Sequence, residues 1–228
     1  MTLSGRAIGV YLGVAAGIGL AAVTLDARDR MYPRETSEER LLYLTSGRVA
    51  DRLALSFDAV MADVYWIRTV QYYASQRKSR SFSGGYELLD PLLDLTTSLD
   101  PYFSVAYQFG AIFLSEPRPD GAGRTDLAIA LLEKGLQVEP RWQYAQALGF
   151  VHYWHRNDLV AAANEFKRAG QMPGAPPWLG PLAANTLAKG GGREGALVMF
   201  TELAKSEEKW IRELAERRLR ELQRELGR

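Results

Sequence analysis

Residues Arg141 to Pro173 read RWQYAQALGFVHYWHRNDLVAAANEFKRAGQMP, and the spacing inside this stretch decides the fold. Ala162, Phe166 and Ala169 stand at i, i+4 and i+7, so a small, a large and a small side chain share one helical face, where a neighbouring helix can pack closely. Pro173 then closes the helix, because proline has no amide hydrogen to donate to the preceding turn. Upstream, Leu148-Gly149-x2-His152 places a glycine in a helix of its own.

The pattern recurs on both sides. Leu89-x3-Leu93-x2-Thr96-x4-Pro101 and Ala128-x3-Leu132-x2-Gly135-x4-Pro140 precede it, and Ala196-x3-Phe200-x2-Leu203 follows without the proline. Two further first-helix signals, Phe109-Gly110-x2-Phe113 and Ala183-Ala184-x2-Leu187, stand before the second and fourth of these segments. From Leu41 onward apolar residues recur at three and four spacing, and no alternating β-branched run is long enough to make a strand. The expectation is an all-α chain.

Here the sequence resembles the tetratricopeptide repeat family, whose unit of about 34 residues carries Leu-Gly-x2-Tyr in its first helix and Ala-x3-Phe-x2-Ala, then Pro, in its second. The resemblance covers roughly Phe57 to Ser206 and is fullest in Arg141 to Pro173. The first repeat departs from it, with no clear Leu-Gly pair and a connector from Ala74 to Gly85; the second has an extended turn from Ser115 to Arg124. The resemblance implies a TPR-like α-solenoid of about four helical hairpins over residues 41–206. Residues 207–228, with Trp210, Ile211, Leu214, Leu219, Leu222 and Leu226 among charges of both signs, read as an amphipathic helix that caps the last repeat, a coiled-coil arm being the alternative.

Arrays of this family turn the first helix of each repeat onto a concave face that takes a segment of another protein. Counting from each Leu-Gly position, the resemblance implies a partner-binding groove of Tyr107, Ala111 and Leu114 in the second repeat. Gln143, Gln146, Phe150 and Tyr153 continue it in the third, and Trp178 and Asn185 in the fourth. Aromatic rings beside amides suit such a wall: rings give contact area at low entropy cost and amides catch backbone groups. Packing between repeats is the alternative role for the rings.

At the other end, Ala7 to Leu25 is nineteen residues without a charge, preceded by Arg6 and followed by Asp26, Arg28, Asp29 and Arg30. At about 1.5 Å per residue it is close to a bilayer's hydrocarbon thickness. Residues 1–25 are therefore expected to be a single transmembrane anchor, a cleaved signal peptide being the alternative. Gly9, Gly13 and Gly17 fall on one face of it, where another membrane helix could approach. Residues 26–40, charged and holding Pro33, read as a linker. Basic residues after the helix favour a cytoplasmic domain, whereas the short N-terminal tail favours export; the expectation leans to the extracytoplasmic, periplasmic side.

Composition narrows the chemistry. The chain has no cysteine and only two histidines, which excludes a disulfide scaffold, a thiol enzyme and a cysteine zinc finger. A net charge of +1 supplies no field for nucleic acid, so none is expected as a partner. His152 and His155 share a helical face, but without a third ligand on the same turn they read as structural rather than metal-binding. The glycines at Asp120 to Arg124 and Lys189 to Arg193 lack the Lys-Ser or Lys-Thr of a phosphate loop and read as turns. The basic run Gln76 to Phe82 reads as a solvated loop, contact with anionic head groups being the alternative. Asp63, Glu87, Asp90, Asp94 and Asp100 form no pair suited to acid–base work. The expectation is a non-catalytic adaptor without metal or cofactor, anchored in the membrane and serving assembly of an envelope complex through protein partners. The alternative is a permanent structural subunit of a large membrane complex.

Overall fold

The computed structural model describes residues 5–31, 57–78 and 85–227. Among them are ten α-helices and no strand, as the three-and-four spacing predicts. The chain divides into two compact units, Met1–Tyr43 and Leu44–Arg228.

The first unit contains α1 (Gly5–Met31). The expectation of a membrane crossing is overturned: among the described residues no helix is long and apolar enough to cross a membrane. The helix also takes in Arg6 at one end and Asp26, Arg28, Asp29 and Arg30 at the other. The single-pass membrane placement, and with it the choice of an extracytoplasmic side, is withdrawn. A Cβ at Gly17 would meet nothing within 4 Å. Gly9 and Gly13 lie in the same helix, and their surroundings fall outside the described residues. The expected linker lies outside them beyond Met31.

In the second unit, α2 (Asp58–Lys78) pairs with α3 (Leu89–Leu99), and α4 (Ser104–Ser115) with α5 (Thr125–Val138). Next, α6 (Trp142–Val151), extended by one wide π turn over His152–Arg156, pairs with α7 (Leu159–Gly170). A fourth pair, α8 (Leu179–Lys189) and α9 (Arg193–Leu203), is followed by α10 (Lys209–Leu226). Each second helix also packs on the first helix of the next pair, and α4 touches α6 directly.

The helix stops follow the expected chemistry. Past α3, Asp100 is extended and accepts a hydrogen bond from the Tyr102 N–H at 2.9 Å, and Pro101 lies between them. Past α5, Glu139 is likewise extended before Pro140. The π turn closes at Asn157, whose φ of 52° is left-handed. Asp158 then starts α7 by accepting from the Ala161 N–H at 2.9 Å.

Packing within pairs depends on the small residues of the motif. A Cβ on Gly149 of α6 would overlap the Phe166 ring of α7, and Phe166 is fully buried between Ala162 and Ala169, which are themselves fully buried. Gly135 of α5 lies under two rings, where a Cβ would stand 2.9 Å from Tyr107 and 3.2 Å from Tyr144. The rings of Tyr107 and Tyr144 are 5.3 Å apart, so one glycine lets α4 and α6 share a junction with α5.

Two irregular parts of the sequence are ordered by specific contacts. The turn from Ser115 to Arg124 is held by α2: Tyr73 donates to the Asp120 carbonyl at 2.8 Å and Arg77 pairs with the Asp120 carboxylate at 3.2 Å. Tyr86 donates to the Pro119 carbonyl at 2.6 Å, and Phe113 stacks on Tyr73 at 4.0 Å. Of the basic run, Gln76, Arg77 and Lys78 end α2, and the rest lies outside the described residues. At the other end, α10 buries Ile211, Ala215 and Leu222, the latter two in a cluster with Ala184, Ala196 and Phe200. Trp210 and Leu226 are exposed, so the apolar stripe of α10 is narrower than the sequence suggests.

Because Phe166 cannot retreat from a filled core, Gly149→Ala should lower the unfolding free energy by about 1–2 kcal/mol. Overpacking of ~1–3 kcal/mol is only partly offset by the ~1 kcal/mol that alanine gains in a helix. Urea denaturation of the two proteins measures the difference.

Candidate interaction surface

The first helices turn one face away from the second helices, and its side chains repeat at i, i+4, i+7 and i+11. In α4 and just past its end they are Val105, Phe109, Ile112 and Glu116. In α6 and its π turn they are Gln143, Ala147, Phe150 and Trp154; at the start of α8 and along it, Trp178, Leu182, Asn185 and Lys189. Each set is partly or fully exposed, and Trp154, at 69%, shows most of its indole to solvent.

Between α4 and α6 the face opens into a cleft of about 410 Å³, with Ile112, Phe150 and Trp154 as its apolar wall and Gln108, Gln143 and Gln146 as polar edge. A second cleft of about 250 Å³ lies between α6 and α8 and is lined by Tyr153, Leu182, Asn185 and Lys189. Both clefts include Phe150 and Trp154, so they meet at those two rings. Most of the wall is apolar with a few amides at its edges, the composition of a surface that takes side chains and backbone of another chain.

Two fixed charges flank the rings. The Glu116 backbone is pinned by the Gly123 N–H, which donates to its carbonyl at 2.8 Å. Its side chain lines the first cleft and is in no ion pair among the described residues, though its charge reaches Arg77 and Tyr73 of α2. Lys189 donates to the Tyr153 hydroxyl at 2.7 Å and lies 4.9 Å from the centre of that ring, with no carboxylate partner among the described residues.

Of the residues expected in the groove, Gln143, Gln146 and Phe150 line the first cleft, and Phe150, Tyr153 and Asn185 line the second. Asn185 already accepts from Arg218 of α10 at 2.9 Å and donates to the Pro181 carbonyl at 2.9 Å. Trp178 belongs to the same face but lines neither cleft.

The second repeat corrects the expectation. Tyr107 and Leu114 are fully buried, and Ala111, at 1% exposure, contributes only to the cleft floor. The cause is a one-residue register slip. Buried pairs fall at Ala106-Tyr107, Gly110-Ala111 and Leu114-Ser115 in α4, against Tyr144-Ala145 and Leu148-Gly149 in α6. Gly110-Ala111, not Phe109-Gly110, therefore corresponds to Leu148-Gly149. One residue turns a helix by about 100°, enough to move each position from the core to the open face. Ile112 and Glu116 were missed for that reason, and Trp154 because the third repeat's set ended at Tyr153; aligning the i, i+4, i+7, i+11 sets would have found all three.

The histidines separate: His155 lines the first cleft, whereas His152 is half-buried with an Nδ1 that has no hydrogen-bond partner. Among the described residues no group of three or more His, Asp and Glu side chains could hold a metal ion. Asp94 pairs with Lys134 at 2.8 Å, and burial followed by the charge of Asp94 raises Asp90 above the usual carboxylate range. No family model matches the chain, and neither the curated proteins nor the solved structures contain a match to it.

Burial first and Tyr144 second push the Tyr107 hydroxyl from 10.0 up to about 12. The folded chain thus holds this proton more tightly than the unfolded one, so the stability it contributes is complete below pH 10 and is lost as the pH rises from there toward 12. Tyr107→Phe should therefore flatten the loss of stability across that alkaline range, read from urea midpoints at successive pH values.

Proposed function

We propose that the second unit is a non-catalytic scaffold of tetratricopeptide type that holds a segment of another protein against the open face of its first helices, in the assembly or upkeep of a multi-subunit complex. The observation that carries this reading is the pair of joined clefts, with Phe150 and Trp154 exposed at their meeting point although the rest of the unit has a well-filled core. An indole exposed at the centre of an amide-edged cleft is the kind of group on which binding energy concentrates.

A photoreactive amino acid in place of Trp154, in the full chain expressed in its own cells, tests the proposal. Discrete protein adducts are expected there and not from the same group in place of Asn164, which is exposed on α7. Equal adducts from both positions, or none from either, contradict it. Once a partner is in hand, Trp154→Ala should weaken binding by about 2 kcal/mol or more yet change folding stability by no more than about 0.5 kcal/mol. A tryptophan that only closed the core would show the reverse.

A further inference from the structure

The last position of each repeated set differs in chemistry from its counterparts: Glu116 in the second repeat, Trp154 in the third and Lys189 in the fourth. These residues stand at the same end of three successive first helices, so they form a row across the face: acid, indole, ammonium. Nothing in the described fold needs this order. Among the described residues neither charge is in an ion pair, although Arg77, itself paired with Asp120, is near enough to Glu116 to feel its charge, and Arg193 is paired with Glu225.

We propose that this row selects the bound segment: an extended protein segment carrying a lysine or arginine against Glu116, an aromatic or aliphatic residue against Phe150 and Trp154, and an aspartate or glutamate against Lys189. The inference rests on the docking reading above. Glu116, Ile112 and Trp154 line the first cleft, so a basic side chain could lay its methylene stem along the apolar wall and bring its head to the carboxylate. In the second cleft, Lys189 is steered by the Tyr153 hydroxyl and ring, which orient the ammonium without neutralising it. The spacing follows from packing. Packed helices lie about 8–10 Å apart, as α4 and α6 do in direct contact, and α6 and α8 are further separated by the second cleft, so the two steps span at least roughly 16–20 Å, which an extended chain at ~3.3 Å per residue covers in about six residues or more. Charge complementarity of this kind fixes register and excludes segments of the opposite order.

The test is selection from a phage-displayed library of random dodecapeptides on the immobilised full chain. Enriched peptides are expected to carry a basic and an acidic residue about six or more positions apart, with an apolar residue between them. Glu116→Gln should remove the preference for the basic residue alone and Lys189→Gln that for the acidic residue alone, each weakening a selected peptide roughly two- to fivefold. Circular dichroism confirms that both variants fold. Enrichment of peptides without the charged pair, or preferences that survive both substitutions, overturns this inference and leaves the docking face standing. Enrichment no greater than on Trp154→Asp overturns the docking face and this inference together.

Discussion

The unit depends on one steric fit: a first helix can lie against its second helix only where a glycine or alanine of one receives a large ring or branched side chain of the other. Gly149 under Phe166 and Gly135 under Tyr107 and Tyr144 are the clearest cases, each with a hypothetical Cβ too close to a buried ring to be accommodated. Protein interiors are packed to the density of organic crystals, so such a contact has no slack. Because the fit is made by side chains three and four apart, repeating it at intervals of 34 to 39 residues repeats the whole hairpin, and stacking buries what each hairpin would leave exposed.

The open face is what remains. Once one side of each first helix is used against its own second helix and another against the second helix of the preceding pair, a stripe at i, i+4, i+7 and i+11 is left open. In α4, α6 and α8 that stripe carries valine, phenylalanine, isoleucine and tryptophan where a purely solvated surface would carry charge. The contacts that hold the Ser115 to Arg124 turn act on this face indirectly: they fix the backbone of Glu116 at its edge through Tyr73, Tyr86 and the Gly123 N–H.

Much of the fold was legible because the small-large-small spacing encodes packing directly, and the third repeat, where Ala162, Phe166 and Ala169 all fall in the core, was the most legible part. The surface of that repeat followed, since Leu148-Gly149 locates the buried side of α6. The second repeat misled because two adjacent small residues, Gly110 and Ala111, offer two registers: Phe109-Gly110 resembles the motif while Gly110-Ala111 occupies its place. Sequence spacing alone cannot separate them: both put a glycine in the helix, and only the contact with Leu93 and Leu131 shows which face it serves. The N-terminal stretch misled differently. Its uncharged length suggests a membrane crossing, but among the described residues no helix is long and apolar enough to make one. The ordered Ser115 to Arg124 turn could not be foreseen at all, as its partners, Tyr73 in α2 and Tyr86 just before α3, lie more than thirty residues away in the chain.

The central claim is that interlocking of small and large side chains between paired helices, rather than helix propensity or surface charge, holds the array together. A double-mutant cycle on Gly149→Ala and Phe166→Leu, followed by urea denaturation, measures that interlock directly. The account predicts strong coupling: leucine leaves room for the new methyl group, so the double variant should be more stable than the sum of the single losses by about 1 kcal/mol or more. Additive losses, with no recovery in the double variant, would contradict it.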